Sequence, residues 1–380
     1  MRSGGGVRLG KIFGIPILLD YSFFLALAFV TYLLGANMLP DRVYPEPSTA
    51  VAWGLGVLGA VVFFTSLLLH EVAHSLAARL YGLRVSSITL FVLGGVSQIA
   101  QDSRSAMQEF VISIVGPLTS AVVGGLFIAA ALLVGNPREL LPELLLWLGA
   151  GNLIIAAFNM LPGFPLDGGR VFRAVVWGVG GDRDRATRWA ARVGQAFAAL
   201  FVVWGVLSFL DLDLGFGSPG FGGLMFILIG IFLFNAASQT LRSVATQRAL
   251  AGVVVRDFMS TELRSVEADA PVRWTAPFRD RIDPRTAYLI TRDGTVVGMA
   301  TGASLLLIDA DRYERASMAD VMIPAANITP IHPAATGQEA LERLQAENSP
   351  ILPVVEDGRL LGLVGLDQVV AALQTDATPA

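Results

Sequence analysis

Long apolar runs separated by short polar connections occupy the first two thirds of the chain. A helix needs about 20 mainly apolar residues to cross a bilayer. Six runs are long enough, at residues 15–39, 50–80, 108–134, 141–161, 187–210 and 221–241. The pattern therefore predicts a polytopic α-helical membrane protein with six transmembrane helices, and it assigns residues 1–241 to a transmembrane domain.

Basic residues are distributed unevenly over the connections between these runs. The connections after the first and third runs hold Arg42 and Arg138, and residues 211–220 hold none. The opposite side collects most of the others, among them Lys11, Arg79, Arg104, Arg183 and Arg242. Because basic residues accumulate on the cytoplasmic side, we predict a multi-pass protein of the cytoplasmic membrane with its N- and C-termini in the cytoplasm.

The pattern changes after Leu241, where charged residues become frequent and an internal repeat begins. Residues 255–260 (VRDFMS) recur as residues 318–323 (MADVMI). Residues 288–305 likewise resemble residues 351–369. Repeated units of this length predict two copies of one small supersecondary unit packed together.

Each copy joins two β-rich runs through an Asp-Gly pair, Asp293-Gly294 and Asp357-Gly358, and such pairs favour hairpin turns. The repeat resembles a tandem of CBS (cystathionine-β-synthase-type) domains. We therefore predict a cytoplasmic α/β CBS tandem after the membrane domain. Its parts are a linker at 242–252, CBS repeat 1 at 253–314 and CBS repeat 2 at 315–375.

Composition narrows the chemistry that the chain can support. Of its 380 residues 54% are hydrophobic and 15% charged, whereas soluble domains carry about 25% charged residues. A net charge of −4 without basic clusters excludes nucleic acid as a partner. The chain has no cysteine, which excludes disulfides and thiolate metal sites, and it has only three histidines.

Two of the three histidines lie in the segment His70-Glu71-Val72-Ala73-His74, at the end of the second apolar run. Residues i and i+4 share one face of a helix, so His70 and His74 can bind one Zn²⁺ with Glu71 beside the remaining coordination position. Glu71 could then take a proton from the activated water. A charged residue inside a membrane helix is costly, which favours this metal site over a coincidental motif.

A catalytic zinc site needs a third protein ligand, and no further histidine remains in the membrane region. The candidate carboxylates are Asp20, Asp102, Glu109, Glu143 and Asp167. Asp167 stands out because it lies in a segment rich in proline and glycine, NMLPGFPLDGG at residues 159–169. Such a segment breaks a helix, and broken backbone at membrane depth is tolerated where it lines a cavity or is covered by protein. The alternative is an interfacial loop whose aspartate caps the next helix.

HEVAH together with NMLPGFPLDGG resembles the site-2 protease family of intramembrane zinc metalloproteases, over residues 10–241, and a subgroup of that family carries a C-terminal CBS pair. The resemblance implies one Zn²⁺ per chain, with His70, His74 and Asp167 as ligands and Glu71 as catalytic base. It implies cleavage of a peptide bond within or next to a transmembrane helix of a membrane-tethered protein substrate in the lipid bilayer, which is regulated intramembrane proteolysis.

Three further features near these motifs have two interpretations each. Asn159 matches an asparagine of the family and could donate to the developing oxyanion or cap a helix end. Residues 83–100 predict a hairpin with Gly94-Gly95 at its turn, whose edge could bind an extended substrate or simply pack. Gly116-Pro117 in the third run has a counterpart in the family and could serve its site, but a kink or close helix packing is the favoured explanation.

The resemblance to CBS tandems implies an adenosine nucleotide as regulatory ligand. In repeat 1, Thr301 and Ser304 occupy positions where such domains use a hydroxyl and an aspartate, so the aspartate is missing. Repeat 2 has neither polar residue. A structural role, or homodimer formation through the CBS domains, therefore stays open beside nucleotide binding.

Two other functions compete with proteolysis. A CBS-gated ion transporter could use intramembrane histidines and carboxylates as an ion path, and an inactive membrane scaffold needs no chemistry. The HExxH segment combined with the broken PLDGG segment favours hydrolysis over both.

Overall fold

The computed structural model describes residues 6–92, 94–99, 101–136, 138–210, 221–261, 263–275, 286–347 and 349–375. The chain divides into two compact units, Met1–Arg242 and Ser243–Ala380. The first unit is helical and apolar. The second is a mixed α/β unit.

Among the described residues, six helices are long and apolar enough to cross a membrane, which confirms the number predicted. The first candidate span is Tyr21–Arg42, formed by α1 (Tyr21–Tyr32), a π-helical stretch (Leu33–Met38) and α2 (Leu39–Arg42). The others are α3 (Thr49–Leu80), α4 (Ala106–Val134), α5 (Leu140–Asn159), α7 (Arg183–Phe209) and α8 (Phe221–Ala251). The helix α6 (Asp167–Gly180), between α5 and α7, is too short to span.

The predicted start of the first span at residue 15 is wrong. Residues Ile15–Asp20 form a strand, β2, in which buried and half-buried positions alternate. This period of two suits a strand with one buried face. Asp20 then ends the strand and starts the helix, because its carboxylate accepts a hydrogen bond from the backbone N–H of Ser22, as an N-cap does.

A four-stranded sheet lies beside the helices, in the order β1-β2-β3-β4. Strand β1 is Gly6–Ile12, β3 is Val85–Phe91 and β4 is Gly94–Ile99. β2 and β3 pair in parallel, and the other neighbours are antiparallel. The buried faces of β2 and β3 pack against α1 and α3 around Ile17, Ile88 and Phe64, which places the hairpin β3–β4 next to the segment that carries HEVAH.

The predicted hairpin over residues 83–100 is present, but Gly94 and Gly95 do not form its turn. Gly94 pairs with Phe91 and Gly95 with Leu90, so both glycines belong to strand β4. Residues 93 and 100 lie outside the described part of the chain. Gly95 lies close to α3, since a Cβ at this position would be 2.5 Å from Glu71 Cγ.

The segment between α5 and α6 packs unusually closely on its neighbours. A Cβ on Gly169 would lie 2.4 Å from the carbonyl carbon of Gly163, and one on Gly163 would lie 2.4 Å from the Cα of Gly194 on α7. The backbone N–H of Phe164 also donates to the carbonyl of Ala190 on α7. The glycines therefore allow backbone-to-backbone contact, which fixes where α6 begins.

The second unit contains two similar halves. In the first half a sheet has the order β5-β6-β7-β8, with bounds Arg264–Glu267, Ala287–Arg292, Thr295–Thr301 and Ile323–Pro324. In the second half β9 (Ile351–Glu356) pairs with β10 (Arg359–Gly365). Both predicted Asp-Gly turns are present, because Asp293 and Asp357 adopt positive φ and each is followed by a positive-φ glycine. The helices are α9 (Val255–Phe258), α10 (Gly302–Leu306), α11 (Ala310–Tyr313), α12 (Gly337–Ala346) and α13 (Leu366–Thr375).

The opening segments of the two repeats are exchanged in the fold. Val255, at the start of repeat 1, packs in the core of the second half with Ile331 and Val364. Met318, at the start of repeat 2, packs in the core of the first half with Ile290. The residues predicted as a linker, 242–252, are helical as far as Ala251, because α8 continues to that residue.

Candidate metal centre

Three side chains predicted as metal ligands meet at one point. His70 Nε2 lies 3.1 Å from Asp167 Oδ2, and His74 Nε2 lies 3.2 Å from the same oxygen. The two Nε2 atoms are 3.2 Å apart. These residues form a group whose ligand atoms could hold one metal ion. The two histidines are buried, and Asp167 is half-buried.

The triangle of ligand atoms fits zinc. Four ligands arranged tetrahedrally at about 2.0–2.1 Å from zinc lie about 3.3 Å from one another, close to the 3.1–3.2 Å observed between these three atoms. Two imidazoles and one carboxylate are also the ligand types of catalytic zinc sites, which leave the fourth position open. The residues present therefore suit a catalytic zinc site.

The other ring nitrogen of each histidine has its own partner. His70 Nδ1 lies 2.9 Å from the hydroxyl of Ser120, and His74 Nδ1 lies 2.6 Å from the carbonyl oxygen of Ile112. The carbonyl can only accept, so His74 carries its proton on Nδ1. Outer partners of this kind fix the tautomer and turn Nε2 toward the metal. Both come from α4, which packs directly against α3.

Gly116 on α4 makes room for the two imidazoles. A Cβ at this position would lie 2.2 Å from His74 Nε2 and 2.7 Å from His70 Nε2. The next residue, Pro117, is inside the helix and has no N–H to donate to the preceding turn. The close helix packing predicted for Gly116-Pro117 is present, and the groups that Gly116 packs against are the two imidazoles of the candidate metal centre. The counterpart of Gly116-Pro117 in the family pattern was the available indication from the sequence.

Asp167 reaches the histidines because it is the first residue of α6. Its placement follows from the tight packing of the preceding segment and from a buried ion pair further along α6. There Arg173 pairs with Glu109 of α4, whose side chain is fully buried. The guanidinium of Arg173 also lies over the ring of Phe164, 5.0 Å from its centroid. These contacts attach α6 to α4 and to the loop before it.

The four alternative carboxylates have other partners. Glu109 pairs with Arg173, and Glu143 lies 3.5 Å from Arg42. Asp102 pairs with Arg183 at 3.0 Å; burial acts to raise the pKa of Asp102, but hydrogen bonding to Arg183 and its charge leave that pKa below its ordinary value. Asp20 caps α1, and hydrogen bonds from the hydroxyl and backbone of Ser22 lower its pKa.

Glu71, the predicted base, is buried and is held by strand β4. Its Oε2 accepts a hydrogen bond of 2.8 Å from the hydroxyl of Ser97. Gly95 lies against the same side chain, since a Cβ there would be 2.5 Å from Glu71 Cγ. Gly95 was predicted to lie near the substrate, whereas Ser97 was not predicted as a site residue. Ser97 lies two residues after Gly95 in the predicted strand, and residues two apart in a strand face the same side. This spacing was the available indication that Ser97 also faces the site.

The other predicted site residues lie on α5 and at the junction of β7 and α10. Asn159 is the half-buried last residue of α5. Thr301 and Ser304 lie at the start of α10, where the backbone N–H of each donates to the hydroxyl of the other. Both hydroxyls thus serve as helix caps. Their nucleotide contact stays a prediction.

Comparisons with known proteins identify the family. The sequence profile of Peptidase family M50 matches residues 58–137 and 136–201, and that of the CBS domain matches residues 318–375. "Putative zinc metalloprotease Rip3" of Mycobacterium tuberculosis is 33% identical over 371 residues, covering 94% of this chain and 90% of Rip3. "Putative zinc metalloprotease sll0528" of Synechocystis sp. is 29% identical over 378 residues, covering 98% of this chain and 96% of the relative.

Similar chains also occur among the solved structures. One is the site-2 protease from Methanocaldococcus jannaschii, at 29% identity and a TM-score of 0.43, covering 63% of this chain and 96% of that protein.

These findings define a multi-pass membrane metalloprotease with a C-terminal CBS region. The chain belongs to peptidase family M50, the site-2 protease family. Membership confirms the resemblance drawn from HEVAH and NMLPGFPLDGG. The names of the relatives imply zinc and favour the hydrolase over the transporter.

Proposed function

We propose that this protein is a zinc endopeptidase that cleaves membrane-tethered proteins within or beside a transmembrane helix. It uses one zinc ion per chain, held by His70, His74 and Asp167. The observation that carries this proposal is the convergence of these three ligand atoms, 3.1–3.2 Å apart, from two helices nearly a hundred residues apart in the chain. The membership in family M50 supports it.

Each residue has a defined task in the reaction. When bound, zinc supplies Lewis acidity and lowers the pKa of water toward neutrality. Glu71 accepts the proton of the attacking water and returns it to the leaving amine, as a general base and then a general acid. The carbonyl of Ile112 keeps His74 in the ligating tautomer, and the hydroxyl of Ser120 can accept the proton of His70 Nδ1 when Nε2 is the ligand. The amide of Asn159 donates to the oxyanion that develops on the substrate carbonyl.

The substrate binds in an extended form along strand β4. This strand is at one end of the four-stranded sheet order and pairs with β3 on its other side, among the residues described. A free strand edge can bind an extended peptide through main-chain hydrogen bonds. Gly94 and Gly95 are the first two residues of β4, and Gly95 lies beside Glu71. Binding here would unwind the substrate helix next to the catalytic base.

The topology that we propose has both termini in the cytoplasm. Six candidate spans return the chain to the side on which it started, and most basic residues lie in the connections on that side. By the positive-inside rule this side of the cytoplasmic membrane faces the cytoplasm. The CBS region is then cytoplasmic, where an adenosine nucleotide bound near Thr301 and Ser304, or a homodimer formed through the CBS domains, would regulate cleavage.

Two substitutions test the metal centre and the base separately. Glu71→Gln should retain about one zinc per chain and lose cleavage of a reporter transmembrane substrate, because the amide cannot accept the proton. Asp167→Ala should lose both zinc and cleavage, because only two ligands remain. Metal analysis and a cleavage assay on the purified full chain measure both outcomes. Glu46→Gln, an exposed carboxylate in the connection before α3, is the control.

Undiminished cleavage by Glu71→Gln would contradict the role of the base. A full zinc content in Asp167→Ala would show that another residue is the third ligand.

A further inference from the structure

Ser97 links strand β4 to the side chain of Glu71. The Ser97 hydroxyl lies 2.8 Å from Glu71 Oε2 and 3.2 Å from the backbone carbonyl oxygen of Glu71. A hydroxyl has one proton, and a hydrogen bond to a charged acceptor is the stronger one. The proton of Ser97 is therefore donated to the carboxylate.

A second hydroxyl fixes the direction of this bond. Ser75 Oγ, on α3 one turn after Glu71, lies 3.1 Å from Ser97 Oγ and donates to it. Ser75 is fully buried. Because Ser97 accepts from Ser75, its own proton remains free for Glu71. The three groups form a chain, in which Ser75 donates to Ser97 and Ser97 donates to Glu71.

The backbone of β4 restricts the same carboxylate by contact. Gly95 and Ser97 lie two residues apart in the strand and so face the same side, toward α3. The Cβ that Gly95 lacks would be 2.5 Å from Glu71 Cγ and 3.0 Å from its carboxyl carbon. Gly95 therefore packs against Glu71 Cγ, and Ser97 holds the Glu71 carboxylate by a hydrogen bond.

We infer that Ser97 is a positioning residue for Glu71, and that strand β4 thereby aligns the base as well as binding the substrate. This inference rests on the proposed function. Strand β4 would contact both the substrate and Glu71. The hydrogen bond from Ser97 would therefore set the distance between the Glu71 carboxylate and a substrate strand paired with β4. Loss of the hydroxyl leaves substrate binding intact and misplaces the carboxylate relative to the bond to be cleaved.

A matched pair of variants isolates the hydroxyl. Threonine and valine have the same shape, and both are favoured in strands, but only threonine can donate to Glu71. We expect Ser97→Val to lower kcat by about 10- to 100-fold, as when an outer partner of a catalytic group is removed, with KM and zinc content unchanged. Ser97→Thr should restore kcat to within about threefold of the original protein, since its hydroxyl can occupy the same place.

Ser86→Val is the control for the replacement of a serine by valine in this hairpin. Ser86 is on β3 and exposed. Its variant should keep the original kcat and KM. The measurements use the purified full chain and a reporter transmembrane substrate.

Equal kcat values for Ser97→Val and Ser97→Thr would overturn the inference. A loss of zinc in Ser97→Val but not in Ser97→Thr would also overturn it. A rise in KM with an unchanged kcat would also overturn it, because Ser97 would then contact substrate. Failure of the proposed function looks different: the original protein would not cleave, or Glu71→Gln would cleave normally.

Discussion

The absence of a side chain at Gly116 is a strong constraint on the metal centre, and Gly116→Ala tests it. The added Cβ would lie 2.2 Å from His74 Nε2 and 2.6 Å from His74 Cε1, whereas ordinary contacts begin at 3.4 Å. The imidazole of His74 must therefore move by about 1 Å or more, while zinc ligands tolerate only about 0.2 Å. His70 Nε2, at 2.7 Å from the same Cβ, must move as well.

The expected result is a large loss of zinc affinity in a folded protein. Displacing two of three ligands should exceed the 10- to 100-fold effect of an altered outer partner, so we expect a loss of at least about 100-fold, or about 2.7 kcal/mol. Competition between the purified protein and a chelator of known zinc affinity measures it. Cleavage should fall in parallel with zinc content.

Gly125→Ala is the matched control, because Gly125 is on the same helix and nothing lies within 4 Å of the Cβ that it lacks. Alanine is a better helix former than glycine by up to about 1 kcal/mol, so this variant should bind zinc normally and be at least as stable. Gly116→Ala with an unchanged zinc affinity would refute the arrangement of ligands around α4.

Two further predictions concern the attachment of α6 and the CBS region. Arg173→Met should destabilise the protein by up to about 3–5 kcal/mol, because the buried Glu109 then keeps only the more distant Arg170, 3.8 Å away, as an ionic partner. Adding Glu109→Gln should recover part of this loss. Thermal unfolding of the single and double variants measures both effects, and equal melting temperatures for the two would contradict the reasoning. If the CBS region binds an adenosine nucleotide through Thr301, calorimetry with AMP, ADP or ATP should give a binding isotherm. Thr301→Val should weaken this binding, whereas the control Thr295→Val, at an exposed position, should not. An absence of heat with all three nucleotides would contradict the proposed nucleotide binding.

The sequence predicted the parts of the fold that depend on local pattern. Six apolar runs of sufficient length predicted six spans, because a bilayer requires that length of apolar helix. The two Asp-Gly pairs predicted turns that are present, since positive φ is tolerated there. Element boundaries were less predictable. Ile15–Asp20 is as apolar as the helix that follows it, and only its pairing with β1 and β3 makes it a strand.

What the sequence determined by itself is the set of candidate reactive groups: two histidines at helical spacing around a glutamate, and one aspartate in a proline- and glycine-rich break. Those requirements are local, because spacing along one helix places His70 and His74 on one face. Only the tertiary structure decided how Asp167 reaches the two histidines and what surrounds Glu71. Both features depend on contacts between segments that are distant in the sequence, namely the buried pair Glu109–Arg173 and the strand that carries Ser97. Such contacts produce no periodic pattern in the sequence.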